Sequence, residues 1–576
     1  MDTVLVLAIS LGGLLIIIGL WGLWHLVPRV YDIPVFYFLR TLAYPLIIQR
    51  RYWGSVTRID AAVLFGYIAG NAICMYQRDT ADLMVRSGKL AVVNMALLFL
   101  SGRTSLMADK AGIPLHSYYL AHHWVGRMFI AQGIIHAVLG LLNTNDKHKA
   151  SGIVLLSTVA AILVLSLFFI RKWSFEAFLV FHRILALLTI GVLVWHLFGD
   201  TSHWREHDTV NLIIPGVSII FWLANRLFHL FFLRHKANNA TIHNFKHVRE
   251  KGPRSSYKND AALELKVSLP HAIKMRPGQY FYVELSAEES WKNYFKTAHP
   301  LMAVWHKTSE PMTELGTECS NEIKFLIKPL DGHSLIHHPK VVLYGPYGKD
   351  LQLQSYENVM IVAQGIGISS VLSYIRQIVT WKSKGDIRKT VLTRKLDVFW
   401  LLDDNCEEDW LSEYLPELRK LDRKRILQFW SYYPNKQKKR GNNNAKSDKQ
   451  EKKRKGVISE EQKKDEISVG YRCIDPESRY TPIPIAIRQE TMNSPGKSIV
   501  VVCGSPLLTK SMRDNVRALM TRKNPIRFVE VEYRPHSDCF SEVRPEYLNN
   551  DVNSELRRVA PRQESSSGDV GESEPV

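Results

Sequence analysis

The chain has 576 residues and a formal net charge of +19 at pH 7, and 46% of its residues are apolar. Up to about residue 233 the sequence is dominated by apolar runs of about twenty residues, whereas the remainder carries charges throughout. We therefore expect a membrane-embedded half followed by a water-soluble half. Much of the basic excess lies in one Lys/Arg-rich stretch and in short loops beside the apolar runs, so membrane orientation explains it better than a nucleic-acid partner.

Seven segments have the length and apolarity of membrane-spanning helices. They cover residues 4–24, 59–76, 90–106, 118–141, 153–170, 175–198 and 210–233. When the loops are assigned alternately to two sides, one side collects most of the Lys and Arg residues near the spans. The positive-inside rule makes that side cytosolic, which also places the soluble half in the cytosol.

Four histidines occur at one repeated spacing inside two of these spans. His122 and His136 lie fourteen residues apart in the fourth span, and His182 and His196 repeat that separation in the sixth. On an α-helix this spacing falls only about 40° short of four full turns and rises about 21 Å, so each pair lies on one helix face. Both spans run from inside to outside, which predicts that His122 faces His182 and that His136 faces His196.

Two such histidine pairs stacked through a bilayer suit two haems. Two axial imidazoles leave no open coordination position on a haem iron, which favours electron transfer over substrate binding. The alternative is that the histidines connect helices or line a water path. In that case the chain would be a transporter or channel whose histidines relay protons, with a degenerate regulatory domain.

Two short segments contain the first histidine of each pair. They are His-His-Trp-Val-Gly-Arg at 122–127, with His136 downstream, and Phe-His-Arg at 181–183, with His196 downstream. Both segments resemble the ferric reductase and NADPH oxidase superfamily, in particular its small metalloreductase-like members from yeasts. The resemblance extends from about residue 59 to residue 533. It implies a multi-pass α-helical membrane bundle with a cytosolic ferredoxin-reductase-like module, in which an antiparallel β-barrel FAD domain precedes an α/β nucleotide-binding domain. It also implies that NADPH reduces FAD and that two haems b relay single electrons to an acceptor across the membrane.

Three motifs in the predicted barrel are candidates for flavin binding. They are Arg-Pro-Gly-Gln-Tyr at 276–280, His-Pro-Leu-Met at 299–302 and Tyr-Gly-Pro-Tyr-Gly at 344–348. Glycines let backbone amides approach a pyrophosphate, and aromatic rings can cover a flavin. Members of the family have Phe and then Ser or Thr where this chain has Leu301 and Met302, so we give Met302 no hydrogen-bonding role. The candidate residues are Arg276, Gln279, Tyr280, His299, Pro300, Gly345, Tyr347 and Gly348.

A second set of motifs indicates a nicotinamide nucleotide site. A buried strand at 359–363 leads into Gln-Gly-Ile-Gly-Ile-Ser-Ser and a helical run at 371–379, which makes Gly365, Gly367 and Ser369 candidates for binding phosphate. Further strands at 397–402 and 498–502 predict a parallel sheet with its ligand at the carboxyl ends of the strands. The second of these strands ends at Cys503 and Gly504, which resemble the family motif beside the nicotinamide, so Cys503 is the catalytic candidate.

The preference between NADPH and NADH stays open. Relatives place a basic residue after the second strand, where it can pair with the 2′-phosphate of NADPH. This chain has Asp403 there, and a carboxylate suits the 2′-hydroxyl of NADH. By family resemblance we expect NADPH, with NADH possible.

These observations predict five regions. They are an N-terminal helix and cytosolic loop (1–58), a haem-binding membrane domain (59–236), a FAD barrel (237–350), a nucleotide domain (351–540) and a flexible tail (541–576). Residues 435–466 have almost no apolar side chains and predict a disordered basic insertion, which could contact anionic lipid headgroups. Whether Phe540 shields the flavin, as a terminal aromatic residue does in relatives, stays open.

The expected activity is reduction of ferric or cupric ions. The alternative acceptor is oxygen, which would make the protein a superoxide-generating NADPH oxidase. Membrane lipid is the other expected partner, and the expected location is the endoplasmic reticulum or the plasma membrane.

Overall fold

The computed structural model describes sixteen stretches of the chain. These are residues 37–50, 54–100, 115–142, 149–173, 175–198, 206–244, 262–286, 299–308, 318–327, 340–348, 350–384, 391–433, 471–473, 483–494, 496–521 and 526–531. The predicted span 4–24, the insertion 435–466, Phe540 and the tail 541–576 lie outside the described residues.

Seven helices cover the six predicted spans that the structure describes in whole or in part, because the span predicted over 153–170 is divided between two of them. They are α1 (Arg58–Met75), α2 (Thr80–Leu100), α3 (Leu115–Leu142), α4 (Lys149–Leu165), α5 (Phe168–Trp173), α6 (Phe175–Phe198) and α7 (Glu206–Phe232). Of these, α1, α3 and α6 are long and apolar enough to cross a membrane, and α4 and the Gly216–Phe232 part of α7 are apolar but shorter. Helix α2 begins ten residues before the predicted start of its span, because Asp82, Arg86 and Lys89 interrupt the apolar pattern there.

A buried amide network joins the first three helices. Asn94 on α2 donates from Nδ2 to Asn71 Oδ1 on α1 at 2.9 Å and to Gln132 Oε1 on α3 at 2.7 Å. Gln132 in turn donates to Asn71 Oδ1 at 2.9 Å, and the Tyr67 hydroxyl donates to Asn94 Oδ1 at 2.7 Å. Since a bilayer offers no water to such groups, each of these bonds stabilises one helix arrangement, by about 1 kcal/mol.

A short segment before α1 contacts the soluble half. It contains the antiparallel hairpin β1 (Leu46–Arg50) and β2 (Gly54–Thr57). Tyr44, just before the hairpin, is buried, and its hydroxyl accepts a hydrogen bond from the Phe528 amide at 2.9 Å. The carbonyl of Pro45 accepts from the Arg58 amide at 3.0 Å, so the segment connects the start of α1 to the last strand of the chain described below.

The first part of the soluble half is an antiparallel sheet. Its strands are β3 (Arg234–Lys236), β4 (Asn239–Asn244), β5 (Leu263–Met275), β6 (Tyr280–Ser286), β7 (His299–Thr308), β8 (Glu318–Ile327) and β9 (Lys340–Tyr347), in the order β3-β9-β6-β7-β8-β5-β4. Leu265, Val267, Phe281 and Phe325 pack in its core with almost no exposure. Because β3 starts two residues after α7 ends, the barrel is joined directly to the membrane bundle.

The second part is a parallel sheet whose central strands are buried. Its strands are β10 (Asn358–Gln364), β11 (Lys395–Leu401), β12 (Leu427–Tyr432), β13 (Tyr471–Cys473), β14 (Ser498–Cys503) and β15 (Ile526–Glu530), in the order β13-β12-β11-β10-β14-β15. The helices α8 (Leu372–Lys384), α9 (Tyr414–Leu421), α10 (Ile483–Asn493) and α11 (Pro506–Leu519) complete this part. Every residue of β10 and β14 is buried, which explains why these strands are continuous apolar runs.

The glycine turn leads into a helix as predicted, since Gly365–Ser370 forms a 3-10 turn and α8 starts at Leu372, one residue after the predicted start of the helical run. The segment after β11 forms a second 3-10 turn, Asn405–Leu411, and α9 follows it. The overall arrangement is a helical membrane-type region followed by an antiparallel barrel and a parallel nucleotide-binding sheet, as expected for a ferredoxin-reductase-like module.

Buried polar and aromatic contacts join the barrel to the parallel sheet. Glu264 on β5 accepts hydrogen bonds from the Tyr414 hydroxyl and from Lys324 Nζ, the latter at 2.9 Å. The Tyr414 ring lies 5.1 Å from that of Trp305, and the Arg376 guanidinium lies 4.9 Å above the Trp305 ring. The relative position of the two parts therefore depends on a few specific side chains.

Asp397, in the middle of β11, predicts a pH-dependent stability. The residue is 2% exposed, and burial raises the pKa of its carboxyl to about 7, although Lys395 Nζ at 3.8 Å opposes the shift. Between about pH 4 and pH 7 the folded state holds a proton that the unfolded state releases, so stability falls as pH rises through this window, by on the order of 4 kcal/mol.

We expect Asp397→Asn to remove most of this pH dependence. Hydrogen exchange of the β10, β11 and β12 amides at pH 5 and pH 8, corrected for intrinsic exchange rates, measures the opening free energy of this sheet. Asp514→Asn on the exposed surface of α11 is the control and should keep the wild-type pH dependence. Equal pH dependence in wild type and Asp397→Asn would contradict the assignment.

Candidate functional site

The structure brings the four histidines together in two pairs. The ring centroids of His122 and His182 lie 6.3 Å apart with an interplanar angle of 65°, and those of His136 and His196 lie 6.1 Å apart at 86°. These contacts require α3 and α6 to run in the same direction. The two levels are about 21 Å apart along the helices.

The separation within each pair fits a metal held between the rings. A metal–imidazole bond is about 2 Å long and the ring centre lies about 1 Å behind the nitrogen, so two axial imidazoles have centroids about 6 Å apart. His123 is the neighbour of His122 on the same helix and belongs to neither pair, and its ring centroid lies 6.4 Å from that of His122. The donor set at each level, two facing imidazoles, is the one that a bis-histidine haem needs.

By the predicted topology, His122 and His182 are called the inner pair, and His136 and His196 the outer pair. The outer pair is oriented by hydrogen bonds from neighbouring helices. The Met84 carbonyl on α2 lies 2.8 Å from His136 Nδ1, and a carbonyl can only accept, so Nδ1 carries the proton. This leaves Nε2 with the lone pair that a metal would use. On the other side, Ser151 Oγ on α4 lies 2.9 Å from His196 Nδ1.

Glycines allow the flanking helices to approach the outer imidazoles. A β-carbon on Gly88 of α2 would lie 2.8 Å from His136 Nδ1, closer than carbon and nitrogen tolerate. A β-carbon on Gly152 of α4 would lie 3.5 Å from His196 Cε1, an ordinary contact distance. Sequence reasoning missed Met84, Gly88, Ser151 and Gly152, because they lie on other helices than the histidines.

The inner pair has a different environment. His182 Nδ1 is buried and has no hydrogen-bond partner among the described residues. The ring of Phe178, one turn earlier on α6, lies 5.3 Å from the His182 ring. An apolar ring therefore covers a histidine at this level, whereas both histidines of the outer pair have a hydrogen-bond partner on Nδ1.

Two of the three flavin motifs form one aromatic cluster. Tyr280 stacks on Tyr347 with ring centroids 5.6 Å apart, and Tyr282 meets Tyr347 edge-on at 5.5 Å. A β-carbon on Gly348, whose φ is +98°, would lie 3.0 Å from the Gly278 carbonyl oxygen. Gly345 has a φ of +150° and lies against Phe281. Both glycines are thus required by the packing of the motifs themselves.

The turn at 276–280 is held by its own side chains and by the nucleotide domain. Gln279 Oε1 accepts from the Arg276 amide at 2.8 Å, so Gln279 stabilises the turn, and the Arg276 side chain is exposed. The Gly278 amide donates to Ser373 Oγ on α8 at 3.0 Å. His299 is the first residue of β7, paired with Val283, and its side chain lies outside the described residues; Pro300 is buried.

The flavin motif at 344–348 is bonded to the end of the last membrane helix. His229 on α7 is 5% exposed, and its Nδ1 lies 2.7 Å from the Tyr347 hydroxyl. The Gly345 amide donates to the Leu233 carbonyl at 2.9 Å, and His235 Nε2 donates to the Gly345 carbonyl at 3.1 Å. Burial lowers the pKa of His235, and the bond to Gly345 opposes that shift. From sequence alone, His229 would be classed as interfacial.

The carboxyl ends of β10, β11 and β14 meet at the second set of motifs. Gln364 connects them, since its Nε2 donates to Asp403 Oδ1 at 2.9 Å and its Oε1 accepts from the Ser505 amide at 2.9 Å. Asp403 lies against Gly365, which has a φ of +48°. A carboxylate therefore lies beside the glycine turn.

Cys503 lies beside the glycine turn as well. A β-carbon on Gly367 would lie 3.0 Å from Cys503 Sγ, and one on Gly504 would lie 3.0 Å from Gln364 Cβ. The thiol lies 3.6 Å from Ser370 Oγ and is buried. Ser369 Oγ is also buried and has no hydrogen-bond partner among the described residues, which suits a ligand that accepts a hydrogen bond.

Comparison with known families matches both halves of the chain. The family model "Ferric reductase like transmembrane component" matches residues 87–193, and "Ferric reductase NAD binding domain" matches residues 356–517. The chain is 25% identical over 358 residues to ferric reductase transmembrane component 6 of Saccharomyces cerevisiae, covering 55% of this chain and 46% of that protein. It is 22% identical to the putative respiratory burst oxidase homolog protein G of Arabidopsis thaliana, covering 62% and 42%.

Similar solved structures include flavoproteins. The flavohemoglobin from Malassezia yamatoensis is 13% identical with a TM-score of 0.34, covering 82% of this chain and 98% of that one. The CS-b5R domains of human Ncb5or are 15% identical with a TM-score of 0.32, covering 51% and 69%.

The two matches cover the membrane bundle and the nucleotide domain, so both halves of the chain resemble parts of one class of protein, the membrane-bound ferric reductases. The chain belongs to the ferric reductase and NADPH oxidase superfamily. It spans about half the length of the curated relatives it matches first, with 46%, 45% and 51% of those proteins covered.

Gly88 and Gly152, which lie against the outer histidines, provide a matched pair of variants. Gly88→Ala should push the His136 ring from its place, because the new β-carbon would fall 2.8 Å from Nδ1 while the Met84 carbonyl holds that nitrogen. Gly152→Ala should be tolerated, because its closest approach is 3.5 Å. Both changes raise intrinsic helix propensity by about 1 kcal/mol, so general helix stability does not separate them.

The measurement is haem b per polypeptide in purified protein. Gly88→Ala should weaken haem retention at the outer level by roughly tenfold or more, the usual cost of disturbing groups around a metal ligand. Gly152→Ala should retain wild-type haem content. If both variants bind as wild type does, Gly88 does not position His136.

Proposed function

We propose that the chain is a membrane-bound NAD(P)H-dependent metalloreductase that reduces ferric or cupric ions, with FAD and two haems b as prosthetic groups. The observation that carries this proposal is the pairing of four intramembrane imidazoles at separations of 6.3 Å and 6.1 Å, directly connected to a flavin- and nucleotide-binding module. His122 and His182 would hold the inner haem, and His136 and His196 the outer haem.

The bound groups would supply the redox chemistry. FAD accepts two electrons from a nicotinamide and releases them singly, and bis-histidine haem accepts and donates one electron without binding a substrate. The chain's own residues would hold these groups. Tyr280 would offer aromatic surface to the flavin, with the buried Tyr347 ring stacked behind it, and Arg276, Gln279, His299, Pro300, Gly345 and Gly348 are the other proposed flavin residues.

The nucleotide would bind at the carboxyl ends of β10, β11 and β14. The turn containing Gly365, Gly367 and Ser369 offers backbone amides to a phosphate, and Cys503 and Gly504 would lie beside the nicotinamide. Cys503 is the residue that we propose to contact the reacting ring. Its burial keeps water away from the position where hydride is transferred.

Oxygen is the second candidate acceptor. The respiratory burst oxidase homologue of A. thaliana matches 62% of this chain, so the similarity extends to a protein whose name describes an oxidase. Metal reduction is favoured because the yeast relatives are named as ferric or ferric/cupric reductase components. The proposed location is the endoplasmic reticulum or the plasma membrane, with the nucleotide domain in the cytosol.

Optical spectra of the purified protein test the haem assignment. The reduced-minus-oxidised spectrum should show a haem b α band with two haems per chain, and His136→Leu should lose about half of the band because one of two sites is destroyed. His123→Leu, which alters a neighbouring histidine outside the pairs, should keep the full band. A wild-type protein without any α band would favour the transporter alternative, in which the histidines relay protons.

Assays on the same membranes then separate the acceptors. Iron reduction that persists without oxygen supports the metalloreductase, and NAD(P)H-dependent superoxide production without iron reduction would assign the oxidase instead.

Asp403 yields a prediction about the nicotinamide. Its carboxylate beside Gly365 would repel a 2′-phosphate and accept a hydrogen bond from a 2′-hydroxyl. Asp403→Asn should therefore remove a charge repulsion and shift the ratio of kcat/KM for NADPH over NADH upward, by about tenfold, which corresponds to about 1.4 kcal/mol. Asp404→Asn is the neighbouring control. An unchanged ratio in Asp403→Asn would place the 2′ group elsewhere.

A further inference from the structure

We propose that Ser151 is a positioning residue that lowers the reduction potential of the outer haem through its hydrogen bond to His196. The inference rests on the proposed function, since it concerns a haem held by His136 and His196. Ser151 is the third residue of α4, it is 5% exposed, and its Oγ lies 2.9 Å from His196 Nδ1.

The direction of the hydrogen bond follows from the role of the ring. A neutral imidazole has one nitrogen with a proton and one with a lone pair. If Nε2 binds the iron, Nδ1 must carry the proton and must donate it to Ser151 Oγ. The same reasoning holds for His136, whose Nδ1 can only donate to the Met84 carbonyl.

An acceptor on Nδ1 makes the ligand more basic and so stabilises the ferric state over the ferrous state. Ser151 and the Met84 carbonyl therefore act together on the outer iron. The carbonyl belongs to the backbone and no side-chain change removes it, which makes Ser151 the contact that can be altered alone.

The inner level lacks the equivalent contact on at least one ligand. His182 Nδ1 is buried with no hydrogen-bond partner among the described residues, and the neighbouring Phe178 ring at 5.3 Å offers only an apolar surface. A change at Ser151 should consequently move the potential of one haem and leave the other unchanged.

The residues around Ser151 allow this contact. A β-carbon added to Gly152, the next residue, would lie 3.5 Å from His196 Cε1, so α4 can approach α6 closely at this level. One further contact between the same helices, Thr189 Oγ1 to Thr158 Oγ1 at 3.4 Å, lies about two turns along α4. The helix pair is thus held at two points, and loss of one hydroxyl leaves the other.

Redox titration of the two haem b components in the purified full chain tests the proposal. Ser151→Ala removes the acceptor and should raise the potential of one component, with a change of about tenfold in the ferric-to-ferrous equilibrium, or roughly 59 mV for one electron. Ser151→Thr keeps a hydroxyl and should stay near the wild-type potential. Ser157→Ala is the matched control on the same helix, since the Ser157 hydroxyl donates to the Ile153 carbonyl of its own helix at 2.8 Å.

The possible outcomes separate the two proposals. One component shifted upward in Ser151→Ala, with Ser151→Thr and Ser157→Ala unchanged, supports the role of Ser151. Two unshifted components in Ser151→Ala overturn it while leaving the haem assignment intact, and so does an equal shift in Ser157→Ala. If Ser151→Ala loses haem, Ser151→Thr must restore both the haem and its potential, or the role is refuted. A wild-type protein without haem refutes the proposed function itself.

Discussion

The pairing of imidazoles between α3 and α6 constrains the whole membrane half. Two pairs at two levels can form only if both helices run in the same direction and keep one rotation about their axes over about 21 Å. Two consecutive antiparallel helices could not meet this condition, so α4 and α5 must return the chain between them. The separations of 6.3 Å and 6.1 Å show that both levels keep the same spacing between the two helices.

The soluble half depends on this bundle through a short connection. Strand β3 follows α7 directly, and His229, Leu233 and His235 all bond to the motif at 344–348. The aromatic cluster of Tyr280, Tyr282 and Tyr347 therefore cannot move independently of the last membrane helix. Together with the contact between Tyr44 and Phe528, this connects the module to the bundle at both of its ends.

The sequence predicted what depends on local pattern and missed what depends on contacts between distant segments. The histidine spacing and the apolar runs are local, and so are the fully buried strands β10 and β14. Strands β12, β13 and β15 were missed because they lie outward of β11 or β14 and carry weaker apolar patterns. Gly88 and Ser151 have no signal of their own, since each matters only because another helix brings a histidine against it.

Polar contacts, and not apolar packing, distinguish this helix arrangement from its alternatives. In a bilayer, apolar side chains pack almost equally well against lipid and against protein, so hydrogen bonds between helices select one geometry. Asn71, Asn94 and Gln132 hold α3 against α1 and α2, and the Met84 carbonyl adds a contact to His136. Ser151 and Thr158 hold α6 against α4. Each histidine helix is thus fixed by its own flanking helices, which sets the distance between the two rows of imidazoles before any metal binds.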